Sequence, residues 1–255
     1  MKKVTLVFAL LSIIAVIHAD FTTNRIMTVG DEGDQTRIIL NKMIEAIGGK
    51  EAITKIQDST YEGTIEFITF GMNGSMNLYQ KEPDKMRMDI NLQGRIVTQA
   101  YDGEMAWGTD PNTGMSVEFS GSVAEEIKRL AYGNDALLNP EKYGISYSYK
   151  GKEMLKSKEY LVLDQTYSDG KTITHYIDPQ TYHTYKTKGK ALNSFGVEVD
   201  QESFISDYKK VGDIITAHSI IVFEDGTESL KMAISSVKLN TGLQDSFFKM
   251  NPESE

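Results

Sequence analysis

Apolar and polar positions alternate most clearly between Ser75 and Trp107. Met76, Leu78 and Gln80 share one face of an extended chain, with Ser75, Asn77, Tyr79 and Lys81 on the other. After Pro83 the alternation restarts, with Met86, Met88, Ile90 and Leu92 against Lys85, Arg87, Asp89 and Asn91. A period of two with one wet face predicts half-buried antiparallel strands. A third run, Ile96 to Tyr101, ends at Asp102-Gly103, and Asp-Gly between alternating runs signals a hairpin. Met105 and Trp107, the only tryptophan, follow on one face and are assigned to the inside with the methionines. Tyr61, Gly63, Ile65 and Phe67 alternate before this stretch, and Met115, Val117 and Phe119 after it. A thioether side chain is unbranched and repacks easily. The methionine-bearing face is therefore either a filled core or the wall of a cavity.

Elsewhere the period changes to three and four. Ile38, Ile39, Met43, Ile44 and Ile47 predict a helix opening at Asp34 and ending at Gly48-Gly49, and Lys50 to Ile56 a second, short one. Ser122 and Glu125 have capping-box spacing ahead of the stripe Val123, Ile127, Leu130 and Ala131, which Gly133-Asn134 terminates. Leu137 and Leu138 are expected in a loop before Pro140. A second β region runs from Gly144 to about Leu239, with turns at Gly151, Ser168-Asp169-Gly170, Asp178-Pro179, Gly212 and Asp225-Gly226. Phe247 and Phe248 are expected to dock on the sheet, since an ordered tail needs an anchor. The count is ten or eleven strands in meander order, without a linker or repeat. Residues 34–255 are thus expected to form one domain around a strongly curved antiparallel sheet. A sheet that large must curl and offer a concave face for the helices to cover.

Composition narrows the function classes. The chain has 255 residues and a net charge of −9, from 36 acidic and 27 basic residues, with no long basic block, so nucleic acid is not an expected partner. Met1-Lys2-Lys3 and the apolar run Val4–Ile17 have the form of a signal peptide ending at Ala19. Residues 20–33 then read as a polar leader. Secretion through a cleaved signal peptide is expected. There is no cysteine, which excludes disulfides, thiolate metal ligands and a cysteine nucleophile.

Catalytic chemistry is not written in the sequence. No Gly-x-Ser-x-Gly elbow is present, and Gly94, Gly103 and Gly108 do not open a phosphate loop. His175 and His183 flank the Asp178-Pro179 turn and would need Asp178 as a third metal ligand. Two strand histidines more often face solvent, so neither a metal nor a cofactor is expected. Glu62 and Glu66 share a strand face but read as solvated outer residues. An enzyme would need a polar cluster inside the sheet, with Asp164 among the few candidates.

Several segments resemble one family. They are Glu45-Ala46-Ile47-Gly48-Gly49-Lys50-Glu51-Ala52, Lys81-Glu82-Pro83-Asp84-Lys85-Met86-Arg87, and Tyr101-Asp102-Gly103 with Trp107 and Pro111. Tyr176-Ile177-Asp178-Pro179 with Thr181-Tyr182, Ser206-Asp207-Tyr208-Lys209-Lys210-Val211 and Asp245-Ser246-Phe247-Phe248 continue the set, in order, through residues 34–250. The set resembles the LolA-like superfamily of periplasmic lipoprotein carriers and related lipid carriers. The resemblance implies an incomplete, strongly curved antiparallel β-barrel of about eleven strands, with helices as a lid over an apolar cavity. Ile65, Phe67, Met76, Leu78, Met86, Met88, Ile90, Met105, Trp107 and Phe119 would line the lipid site. Ile39, Met43 and Ile44 of helix 34–47, with Ile127 and Leu130 of helix 122–133, would form the lid. The implied partners are acyl chains of lipoproteins or other lipids, and membrane-bound donor and acceptor proteins. A regulatory module on the same fold, sensing lipid or envelope protein, is the alternative. Where lipoprotein carriers place an arginine that latches the lid, this chain has Glu82, leaving Lys81 or Arg87 to substitute.

Overall fold

A computed structural model describes residues 31–110 and 113–250; the signal peptide and the leader up to residue 30 lie outside the described residues. Two helices, α1 (Asp31–Ala46) and α2 (Gly49–Thr54), come first. Six strands follow: β1 (Asp58–Phe67), β2 (Met72–Lys81), β3 (Lys85–Leu92), β4 (Arg95–Tyr101), β5 (Ala106–Thr109) and β6 (Ser116–Glu118). Helices α3 (Gly121–Ala131) and α4 (Asn134–Leu138) interrupt the β structure. It resumes with β7 (Ile145–Leu155), β8 (Lys158–Tyr167), β9 (Thr172–Ile177), β10 (Thr184–Leu192) and β11 (Glu198–Ser206). The last strands are β12 (Lys209–Val211), β13 (Ile214–Thr216), β14 (Ser219–Glu224) and β15 (Thr227–Leu239).

Thirteen strands form one antiparallel sheet in the order β6-β5-β4-β3-β2-β1-β15-β14-β11-β10-β9-β8-β7, and β12 and β13 pair separately. The sheet is large, strongly curved and not closed into a barrel. It is not one meander. Two meanders, β1–β6 and β7–β11, are joined through β14 and β15, because β15 pairs with β1 from Ser59↔Leu239 to Phe67↔Leu230. The edges are therefore β6 and β7, and the segment connecting them in sequence is α3–α4. The barrel's gap is spanned by the crossover that links its own two edges.

Register carries one face across the strands. Met76 pairs with Ile90 and Ile90 with Val97; Leu78 pairs with Met88 and Met88 with Gln99; Gln80 pairs with Met86 and Met86 with Tyr101. This is the helix-bearing, concave face. Its first half forms one buried cluster of Tyr61, Ile65, Phe67, Met76, Leu78, Met86, Met88 and Ile90 with β14 and β15 residues and with Ile127, Leu130 and Ala131 of α3. Burying a side chain of this size is worth about 1.5–3 kcal/mol, so α3 is a substantial contributor to the fold. Helix α1 covers the other half, where Ile39, Leu40 and Met43 pack on Leu161, Leu163 and Ile177. Ile44 joins Ile53, Ile56, Leu137, Leu138 and Ile214, tying α1, α2, α4 and β13 together.

Four local expectations are corrected. Ser122 lies inside the first turn of α3; the position before the helix is Ser120, with no side-chain cap. Leu137 and Leu138 belong to α4 and are buried. Trp107 lies on the convex face. Ala106 pairs with Tyr101, which pairs with Met86, so Ala106 takes the inner position and Trp107 the outer one, beside Ala100 and Arg87. Met105 sits in the turn before β5, where its carbonyl accepts the Asp102 N–H, and is not part of the concave cluster. Four turn residues between Tyr101 and Ala106 reset the parity of the alternation.

Candidate functional site

The concave face has two textures. On β1–β5, β14 and β15 it is apolar and held under α3, with Ile65, Met76, Leu78, Met86, Met88 and Ile90 each at most 1 % exposed. Phe119 is half-buried against this wall and crowds Gly108, where an added Cβ would lie 2.6 Å from its ring. Eight of the ten residues expected at a lipid site thus share this surface; Trp107 and Met105 do not. Of the lid residues, Ile127 and Leu130 press on the methionine wall, Ile39 and Met43 on β8 and β9, and Ile44 on α2 and α4. The wall is filled by α3 rather than hollow, so an occupant of this surface must take the place of α3.

On β8–β11 the same face carries polar groups. The row Ser203, Thr187, His175 and Leu163 is in register across four strands, with the row Gln201, Gly189, Ile173 and Gln165 beside it. His175, expected at solvent, is 1 % exposed. Its Nε2 donates to Gln165 Oε1 at 2.9 Å, because that amide's Nε2 is engaged with Tyr167 Oη at 3.0 Å, and Nδ1 is left as an unpaired acceptor. Burial pushes the His175 pKa down to about 4, so the ring is neutral at physiological pH. His183 is remote from this row: it stacks on Tyr208 and lies 3.3 Å from the Ala46 carbonyl. Among the described residues no group of three or more His, Asp or Glu side chains suits a metal ion.

Helix α3 lies at the junction and is amphipathic to match. Its apolar side meets the methionine wall, and its charged side meets the β8–β9 turn. Arg129 Nη1 donates to Asp169 at 2.7 Å and Nη2 to Glu126 at 3.2 Å, while Lys171 Nζ also donates to Glu126. Burial disfavours both cations. For Arg129 the carboxylates of Glu126 and Asp169 more than offset it and the pKa rises; for Lys171 burial outweighs Glu126 and the pKa falls. Between this cluster and the polar strands lies a crevice with a free volume of about 30 Å³, lined by Arg129, Leu130, Tyr167, Ile173, Gly189 and Gln201 among others.

The turn from α3 into α4 is held by Glu82. Its carboxylate accepts the N–H groups of Asn134 at 2.8 Å and Asp135 at 3.1 Å, and the Gly133 N–H donates to Pro83 O at 3.0 Å. A Cβ at Gly133 would lie 2.5 Å from Glu82 Oε2, so a larger residue there would push the carboxylate away from these N–H groups. Burial raises the Glu82 pKa to about 7 despite these bonds. The position where an arginine was expected thus holds the crossover helices through an acceptor. Lys81 and Arg87 do not substitute for that arginine. Lys81 Nζ binds Leu243 O and Asp245, and Arg87 binds Asp89 and Phe247 O, both toward the C-terminal tail. That tail docks on the convex side, where Trp107 Nε1 donates to Phe248 O at 2.8 Å and Phe248 is fully buried.

The polar row, the Glu126–Lys171–Arg129–Asp169 cluster and the Glu82 contact were not foreseen. The sole hint was Glu82 itself.

No protein-family model matches the sequence, and no curated protein matches it. Solved structures do match. A DUF1329 family protein from Desulfovibrio piger superposes with a TM-score of 0.58 at 15% identity, over 84% of this chain and 97% of that one. A proposed outer membrane lipoprotein-sorting protein domain from Vibrio parahaemolyticus gives 0.56 at 14% identity, over 84% and 96%. A LolA superfamily protein from Nitrosomonas europaea gives 0.55 at 14% identity, over 84% and 97%. With its curved, unclosed antiparallel sheet and the helices on its concave face, the chain has the fold of these three structures, a LolA superfamily protein and a lipoprotein-sorting domain among them.

Proposed function

We propose that this protein is a periplasmic carrier that holds an acyl chain, of a lipoprotein or another lipid, against the methionine wall when α3 lifts. The supporting observation is that a continuous apolar wall is covered by a single amphipathic helix. The opposite side of that helix is tethered by ion pairs at the β8–β9 turn. Transfer of a methylene from water to an apolar surface is worth about 0.8 kcal/mol. A chain of about a dozen carbons then gains on the order of ten kcal/mol before ordering costs. That is the scale needed to displace Ile127, Leu130 and Ala131. Methionines suit a wall that must repack between a helix and a ligand. Affinity of this kind needs no catalytic group, so the reading is of a carrier, not an enzyme. Residues 1–19 would direct export, and residues 31–250 would form the single carrier domain, served by membrane-bound donor and acceptor proteins.

Native mass spectrometry of protein purified from an exporting host tests this. The expected spectrum shows adducts with acyl-lipid masses that detergent washing removes and added fatty acid restores. A protein that stays free of lipid after incubation with fatty acids of ten to eighteen carbons, while fully folded, would contradict it.

A further inference from the structure

Buried polar atoms are nearly always hydrogen-bonded in folded proteins. Here Arg129 Nε and Gln201 Nε2 are buried donors without an acceptor, and both residues line the crevice between α3 and β8–β11. Arg129 is built in: its side chain is 10 % exposed and both terminal nitrogens are committed to Asp169 and Glu126. Its Nε–H is a buried donor that neither carboxylate takes up. Gln201 approaches from the sheet, in the row that holds Gly189 and Ile173. The missing side chain at Gly189 keeps this part of the floor low. Leu130 belongs both to this crevice and to the apolar cluster, so the crevice adjoins the methionine wall. The charged side chains facing it are Glu126, Arg129 and Lys171, since Lys188 and Lys190 alternate with Gly189 and project to the other face of β10.

We propose that this crevice is the polar subsite of the carrier, and that Arg129 Nε and Gln201 Nε2 receive the carbonyl or carboxylate oxygen at the head of an acyl chain. The inference rests on the carrier reading and adds to it the residues that hold the head of the acyl chain. Both donors line the same crevice, which opens to solvent, so the oxygen at the head of a chain can enter it while the remainder of a larger molecule stays outside. Arg129 moves with α3, so the subsite forms when the helix settles back over the loaded chain, which then runs from the crevice beneath Leu130 along the methionine wall, while the rest of the molecule that bears it stays outside.

The test compares hexadecanoic acid, methyl hexadecanoate and hexadecane as competitors of a bound fluorescent fatty acid, in wild type, Gln201→Leu and Arg129→Lys. Wild type should favour the acid and the ester over the alkane by about tenfold or more, the range of one or two buried hydrogen bonds. Gln201→Leu leaves the Arg129 ion pairs in place and should reduce that preference several-fold without weakening alkane binding. Arg129→Lys should do the same while keeping the positive charge. If wild type binds all three ligands equally, or the variants keep the full preference, the subsite is wrong and the carrier stands. Stabilisation of Gln201→Leu with no change in preference would mean that the crevice holds a water molecule only. If folded wild type displaces the probe with none of the three, the carrier reading itself fails.

Discussion

At the scale of single residues, Glu82 carries a charge where burial opposes one. Its folded pKa of about 7 stands above the ordinary value of 4.5. Between those two values the folded protein binds more protons than the unfolded chain, so this group's contribution to stability falls as pH rises. The contribution is largest below pH 4.5 and levels off above pH 7. A shift of that size corresponds to about 3 kcal/mol at 1.36 kcal/mol per pKa unit. Glu82→Gln should remove this slope. Urea unfolding from pH 4.5 to 7.5 should show the stability difference between wild type and variant changing by that order, in favour of the variant as pH rises. A difference independent of pH would mean that Glu82 titrates normally. Trp107 teaches a separate lesson at this scale. Hydrophobicity alone marks it as an inner residue, but the smaller Ala106 holds that position. The Trp107 indole N–H donates to a tail carbonyl 141 positions away.

At the scale of elements, α3 is both core and cover. One side completes the apolar cluster, and the other is fastened by Arg129 to Asp169 and by Lys171 to Glu126. The chain has no cysteine, so a Glu126→Cys/Lys171→Cys pair introduces the only two thiols. Joined by a bismaleimide, the pair should block loading of fatty acid. The same variant left unjoined should load at least as readily as wild type. Equal loading in both forms would show that α3 need not move. The elements also show what a sequence reveals. The strands of the wall and the stripes of α1 and α3 were legible because each has one buried face and a strict period. Helix α4 was not, since five residues are too few for a period. His175 was misplaced for a physical reason: polar residues such as Gln165, His175, Thr187 and Ser203 in an alternating strand look like its wet face. Only the pairing across β8–β11 places them inside.

At the scale of the whole molecule, the arrangement that matters is the pairing of β1 with β15, which local patterns do not contain. It moves the first and last strands of the sequence to the middle of the sheet and leaves β6 and β7 as its edges. The crossover between those edges then has to span the opening, which places a cover over a wall without an added domain. The central claim is that an acyl chain occupies the concave wall, and its position is measurable by fluorescence. Trp107 reports from the convex side, whereas Phe119 lies against the wall, so Phe119→Trp adds a reporter there by a conservative aromatic exchange. Fatty acids brominated along the chain quench only a nearby indole. Titration should leave the emission of the wild-type protein unchanged and quench the added component in Phe119→Trp, saturably. Quenching of wild type to the same extent, or none in Phe119→Trp while the fatty acid is bound, would contradict the account.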